Sequence, residues 1–204
     1  MTDHHHSAPH IADEDLLFEY ANGVLDEAQA MIVAAHLSLC PEARRIVEDF
    51  EHICGALIEN CEGETVSEEC LQGALARLDE VETPTCPDDV PECKILPKPV
   101  RQYLDCETAK LSWETRPEVA GVEFLQVNVP GSNLHVEMMR MTPGACMPTH
   151  SHEGAEMTLV IKGGYTDEND QYVRGCFTIY ASGEDHTPIA DEPEGCICIT
   201  VRID

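Results

Sequence analysis

Gly144-Ala-Cys146-Met-Pro-Thr-His150-Ser-His152-Glu-Gly-Ala-Glu156, with Gly163 seven residues further on, reads as a set of metal ligands carried on consecutive β-strands. His150 and His152 are two apart, so on a strand their side chains share a face. Glu153-Gly154 supplies a kink or turn that can carry the Glu156 carboxylate round to an ion held by the two imidazoles. A second glycine-bounded run, Gly175 to Gly183 followed by His186, offers a fourth ligand. Neutral imidazoles with one carboxylate suit zinc, iron, manganese, copper or nickel, and the donor set does not choose among them.

The full spacing resembles the two signature motifs of the cupin superfamily. The first is Gly144, five residues, His150, one residue, His152, three residues, Glu156, six residues, Gly163; the second is Gly175, a gap, Gly183, two residues, His186. Two positions depart from the motif: Ala181 stands for the usual proline and Ala190 for the usual asparagine. Neither is a ligand, so the departures bear on loop geometry.

Outward from this stretch the hydrophobic pattern changes period. Val122 to Val129, Leu134 to Met138, Met157 to Ile161, Phe177 to Tyr180 and Cys196 to Val201 are short β-rich runs split by Gly and Pro turns, which predicts a small antiparallel barrel or jelly roll. From Asp13 to about Glu80 the period is helical. Leu16, Leu17 and Tyr20 mark a first helix closed by Gly23, and Asp26 caps a second with Met31, Ile32, Ala35 and Leu39. A third carries Ile46, Val47, Phe50, Ile53, Cys54, Leu57 and Ile58, and Ser67 caps a fourth with Leu71, Ala74, Leu75 and Leu78. Between the halves, residues 82–99 contain five prolines, which deny helix and central strand. The expected architecture is therefore an α+β two-domain chain: a helical bundle over 1–81, a linker over 82–99 and an all-β cupin over 100–204.

The net charge is −27, from 39 acidic and 12 basic residues, and both halves are acidic: 18 against 3 over residues 1–81 and 21 against 9 over 82–204. Such a chain is ill suited to direct nucleic-acid binding, which needs cationic groups against phosphates, and better suited to a positively charged partner. No apolar stretch approaches a membrane span and the N-terminus has no hydrophobic signal core, so a cytoplasmic protein is expected. Eleven cysteines without a compact framework point to reduced thiols, buried or free. A His4-His5-His6 run in a tail binds metal only weakly.

The helical half carries a further pattern. His36 and Cys40 are four apart on a helix and share a face, and a sulfur three residues on would nearly complete a tetrahedral zinc site to which His10 could add a ligand. His10, the His36-x-x-x-Cys40 pair, the helix order and the cupin after a proline-bearing linker together resemble the zinc-binding anti-sigma factors of the ChrR type, over essentially the whole chain. The resemblance implies a helical domain that grips an extracytoplasmic-function sigma factor in a 1:1 complex. It also implies a cupin involved in the response to singlet oxygen or related oxidants, with a regulatory metal, zinc, on His150, His152, Glu156 and His186.

One departure matters: Ala43 stands where the family has a second cysteine. The alternatives are zinc on His10, His36 and Cys40 completed by water or Cys54, a weakened site, or a helical domain that folds by packing alone. Zinc does not cycle between redox states, so oxidation would act on ligands, nearby sulfur or a small-molecule signal. Cys146, four residues before His150, is the candidate redox thiol, while Cys176, Cys196 and Cys198 read as core. Rival readings are a metal-dependent dioxygenase, with three His and one Glu around iron, and a cupin that senses a small ligand without turnover.

Overall fold

The computed structural model describes residues 10–78, 95–104 and 111–203. The His4–His6 run and most of the proline-rich linker lie outside the described residues.

Four helices open the chain. α1 (Glu14–Ala21) is capped by Asp13, whose side chain accepts from the Leu16 amide, and it closes as expected into Gly23 with φ +66°. α2 (Glu27–Leu39) begins with a capping box in which Asp26 and Gln29 satisfy each other's backbone donors. α3 (Pro41–Glu59) follows without a loop, Cys40 serving as the last position of one helix and the first of the next. α4 (Glu68–Arg77) is capped by Ser67. A fifth, four-residue helix, α5 (Lys98–Arg101), follows the linker and rests on α2 with Leu96 and Val100 buried.

The rest is antiparallel β. The strands are β1 (Glu114–Thr115), β2 (Val122–Gln126), β3 (His135–Met141), β4 (Ala155–Thr166), β5 (Gln171–Val173), β6 (Phe177–Tyr180), β7 (Ile189–Ala190) and β8 (Cys196–Ile203). They run in the order β1-β2-β3-β8-β4-β5, with β6 and β7 also paired to β4. The five strands expected from the sequence all form; β1, β5 and β7 are too short to show a period.

The helical unit and the barrel share a core. Val136 and Met138 of β3, Met157, Leu159 and Ile161 of β4, and Ile199 and Val201 of β8 share one hydrophobic cluster with Leu16, Leu17, Ile32 and Val47 of the helices. Fully burying a side chain of this size contributes about 1.5–3 kcal/mol, so the helices and the barrel stabilise one another. The alternate residues of the same strands, Met141, Val160, Cys196 and Cys198, belong to a second cluster on the opposite face. A register shift between Val160 and Lys162 interrupts the alternation of β4 and turns Tyr165 into that second cluster. Gly163, beside the shift, has φ +65°, and a Cβ there would sit 1.9 Å from the Gly195 carbonyl oxygen. No other residue fits.

His36 joins the two halves. It is fully buried at the end of α2; its Nδ1–H donates to the Gly175 carbonyl of the barrel at 3.0 Å, and its Nε2 accepts from the Ala12 amide at 3.3 Å. The Phe177 amide donates to the His10 carbonyl at 2.8 Å, so the segment before α1 also docks on the start of β6. Burial holds the His36 pKa down at about 4, against an ordinary 6.5, with the Gly175 carbonyl only partly opposing. The unfolded chain takes up a proton below about pH 6.5 while the folded chain does not. The stability tied to neutral His36 is therefore complete above that pH and is lost as pH falls toward 4, by up to about 3 kcal/mol. Thermal melts from pH 7 to 4 should show this slope in the wild type and a flatter one in His36→Gln; equal slopes would place the acid sensitivity elsewhere.

Candidate metal centre

The three histidines of the cupin motifs come together on one side of the sheet. One ring nitrogen from each of His150, His152 and His186 lies within 4.8 Å of the others. The His150 and His186 backbones pair through reciprocal N–H···O=C bonds of 3.2 and 3.0 Å, which sets their rings 4.2 Å apart. The expectation that all the first-motif ligands ride on strands is corrected. His150 sits in this isolated bridge and His152 in an irregular segment, while Glu156 alone is on a strand, β4.

Each donor is oriented by a neighbour. His150 Nδ1–H donates to the Pro148 carbonyl at 2.8 Å, leaving Nε2 for an ion, as metal-bound imidazoles require. Glu156 is buried and holds Oε2 3.2 Å from His152 Nε2. Tyr180 stacks on His186, 4.1 Å between centroids and 19° between planes, and its hydroxyl donates to Asp167 at 2.7 Å. Burial raises the Tyr180 pKa far above its ordinary value, so the phenol stays a donor. His186 is held below the usual imidazole range, first by burial and then by His150. Burial lifts Glu156 to about 7, with Arg202 opposing.

These features fit a divalent cation: three imidazoles and, within reach, one buried carboxyl that a cation would ionise. The three-histidine group can hold a metal ion, and the donor set leaves its identity open. The cavity beside it measures about 180 Å³ and is walled by Met139, Met141, Met147, Phe124, Arg116 and Arg202. Arg116 lies 3.7 Å over the Phe124 ring and pairs with Glu137.

None of these wall residues stands out in the motif, because most come from β2, β3 and β8. The signal for those on β3 is the period of two in Glu137, Met139 and Met141. Cys146 does not join the wall: it is exposed, with Sγ 3.2 Å from the Met147 carbonyl oxygen. Cys176, Cys196 and Cys198 are buried.

Among the described residues, His10, His36 and Cys40 are not gathered into a comparable group. His10 Nε2 faces the Asp170 carboxylate at 3.1 Å and its ring lies 4.7 Å from Tyr172. Both nitrogens of His36 are spent on backbone groups. Cys40 is buried at the helix junction with φ −116° and ψ 101°, off the helical backbone, so the shared-face argument for His36 and Cys40 does not carry over.

An antiparallel β-barrel with a three-histidine pocket on one sheet face and a helical unit on the other defines a cupin fused to an N-terminal helical domain. The ChrR cupin-like domain matches residues 101–203, and the chain belongs to that family. It is 31% identical to the anti-sigma-E factor ChrR of Cereibacter sphaeroides over 191 residues, 93% of this chain and 87% of that protein. It also superposes on the crystal structure of Rhodobacter sphaeroides SigE in complex with the anti-sigma ChrR. That match has a TM-score of 0.79 at 29% identity and covers 97% of this chain and all of the matched one.

Because Glu156 must ionise to bind a cation, zinc affinity should climb more steeply between pH 6 and 8 in the wild type than in Glu156→Gln. Competition with a chromophoric chelator measures it. His150→Ala or His186→Ala should lose most of the bound metal, about tenfold or more in affinity.

Proposed function

We propose that this chain is an anti-sigma factor that sequesters an extracytoplasmic-function sigma factor in a 1:1 complex and releases it on an oxidative signal. The observation that carries the reading is the fold match to ChrR from the SigE complex, which spans the helical unit as well as the cupin. The surface supports it. Every residue of α4 is exposed, and the second half of α3 leaves α1 behind, so Ile53, Leu57, Ile58, Leu71, Leu75 and Leu78 are uncovered. Apolar anchors ringed by acidic residues suit a partner with basic polymerase-facing and DNA-facing surfaces: the apolar contacts supply affinity and the charge steers encounter.

In this reading residues 1–81 grip the partner and residues 100–204 read the signal, in the cytoplasm, where sigma factors act. Among the described residues no helix is long and apolar enough to cross a membrane. Zinc on His150, His152, Glu156 and His186 would supply a fixed charge that locks the loops, without redox chemistry of its own.

Leu57→Asp with Leu75→Asp tests the grip, since both side chains are exposed and the fold does not depend on them. Binding to the sigma factor encoded by the same host should fall at least about 100-fold by titration calorimetry with the melting curve unchanged; undiminished binding would move the grip elsewhere. A helical zinc on His10, His36 and Cys40 would require His36 Nε2 to give up the Ala12 amide, while Nδ1–H could keep the Gly175 carbonyl. Restoring a thiol by Ala43→Cys, at a fully buried position, should raise zinc content above that of the wild type. Unchanged content would leave His36 as a packing residue.

A further inference from the structure

Seven methionines occur in the chain. Met31, Met138 and Met157 are buried in the core shared by helices and barrel. Met139, Met141 and Met147 instead face the metal cavity beside His150, His152 and His186. Met141 is buried, whereas Met139 and Met147 are half-buried and line the cavity, so a small solute reaches their sulfurs more readily than those of Met31, Met138 or Met157 in the core. The nearby thiol, Cys146, is outside this wall.

Given the anti-sigma reading above, on which this step rests, we infer that Met139, Met141 and Met147 form an oxygen-accepting thioether wall, and that hydroperoxide oxidation there, beginning at Met147, is the chemical event that releases the partner. The reaction balances without a further reagent. A sulfur lone pair attacks the distal oxygen of ROOH, the S–O bond forms as O–O breaks, sulfur is oxidised to the sulfoxide, and the departing alkoxide takes the proton to become ROH. The product is polar and larger. It no longer fits the packing of the thioethers against the second cluster, so the wall must rearrange, and the loop holding Met147 is the one that continues into His150 and His152. Sulfur oxidation of this kind requires no redox change at the metal.

The test uses the full-length zinc-loaded protein bound to the host's sigma factor and exposed to hydrogen peroxide. Peptide mass spectrometry should find sulfoxide at Met147 accumulating at least about tenfold faster than at Met31, Met138 or Met157. The variant Met139→Leu, Met141→Leu, Met147→Leu should keep its zinc and its partner yet release the partner at least about tenfold more slowly than wild type, while Cys146→Ser releases at the wild-type rate. Release by the leucine variant at the wild-type rate, or loss of release in Cys146→Ser, would overturn the wall. Should the triple variant not fold, Met147→Leu alone, at a half-buried position, must slow release for the inference to stand. If the untreated protein binds no sigma factor, the anti-sigma reading has failed, and the sulfoxide map alone upholds or overturns the wall.

Discussion

Side-chain alternation along β3, β4 and β8 is the constraint on which the rest depends. A strand has two faces and each residue must choose one. Here one face carries Val136, Met138, Met157, Leu159, Ile199 and Val201 into a core completed by α1 and α2. The other carries Glu137, Met139, Glu156, Thr158, Cys198 and Thr200 toward the metal cavity. The sheet is thus a partition one side chain thick on each side, with a polar ligand site and a helix-packing core back to back.

Sequence neighbours fall on opposite sides of the partition. Glu156, a cavity-facing carboxyl, is bonded to Met157, a helix-facing core residue, and a shift of the β4 backbone moves both. His36 adds a second tie, since its imidazole bridges the segment before α1 and the turn between β5 and β6. Close-packed interiors transmit displacement because they contain little empty space to absorb it. Rearrangement in the cavity therefore has a short physical route to α2, and α3 continues from α2 without a loop. The uncovered apolar residues lie at the far end of α3 and on α4, away from the barrel core.

Much of this was legible in the sequence for local reasons. The helices announced themselves through caps and period: Asp26 with Gln29 and Ser67 before α4 lie within a few residues of what they stabilise. His150, His152 and Glu156 are close neighbours in the chain, and the glycines bounding the motifs mark backbone that only glycine adopts, as Gly163 shows. What stayed hidden was non-local. The common core pairs Leu17 and Ile32 with Met138 and Ile199, which are far away along the chain. His36 and Cys40 pair in the sequence by a four-residue helical spacing, whereas Cys40 lies just past the end of α2 with an extended backbone. α5 (Lys98–Arg101) spans the boundary expected at residue 99, and its Val100 is buried where the short helix rests on α2. Of the methionine wall, Met139 and Met141 come from the alternation on β3, while Met147 sits in the motif's own loop, where nothing in the spacing singled it out.

Hydrogen exchange with mass spectrometry, on the full-length protein with zinc bound and after its removal by a chelator, tests the partition directly. Amides of α2 and of the α2–α3 junction should lose protection by at least about tenfold when the metal leaves, together with the loops that carry His150 and His186. Exchange that changes in those loops alone, with α2 as protected as before, would contradict the coupling of the cupin metal to the helical unit.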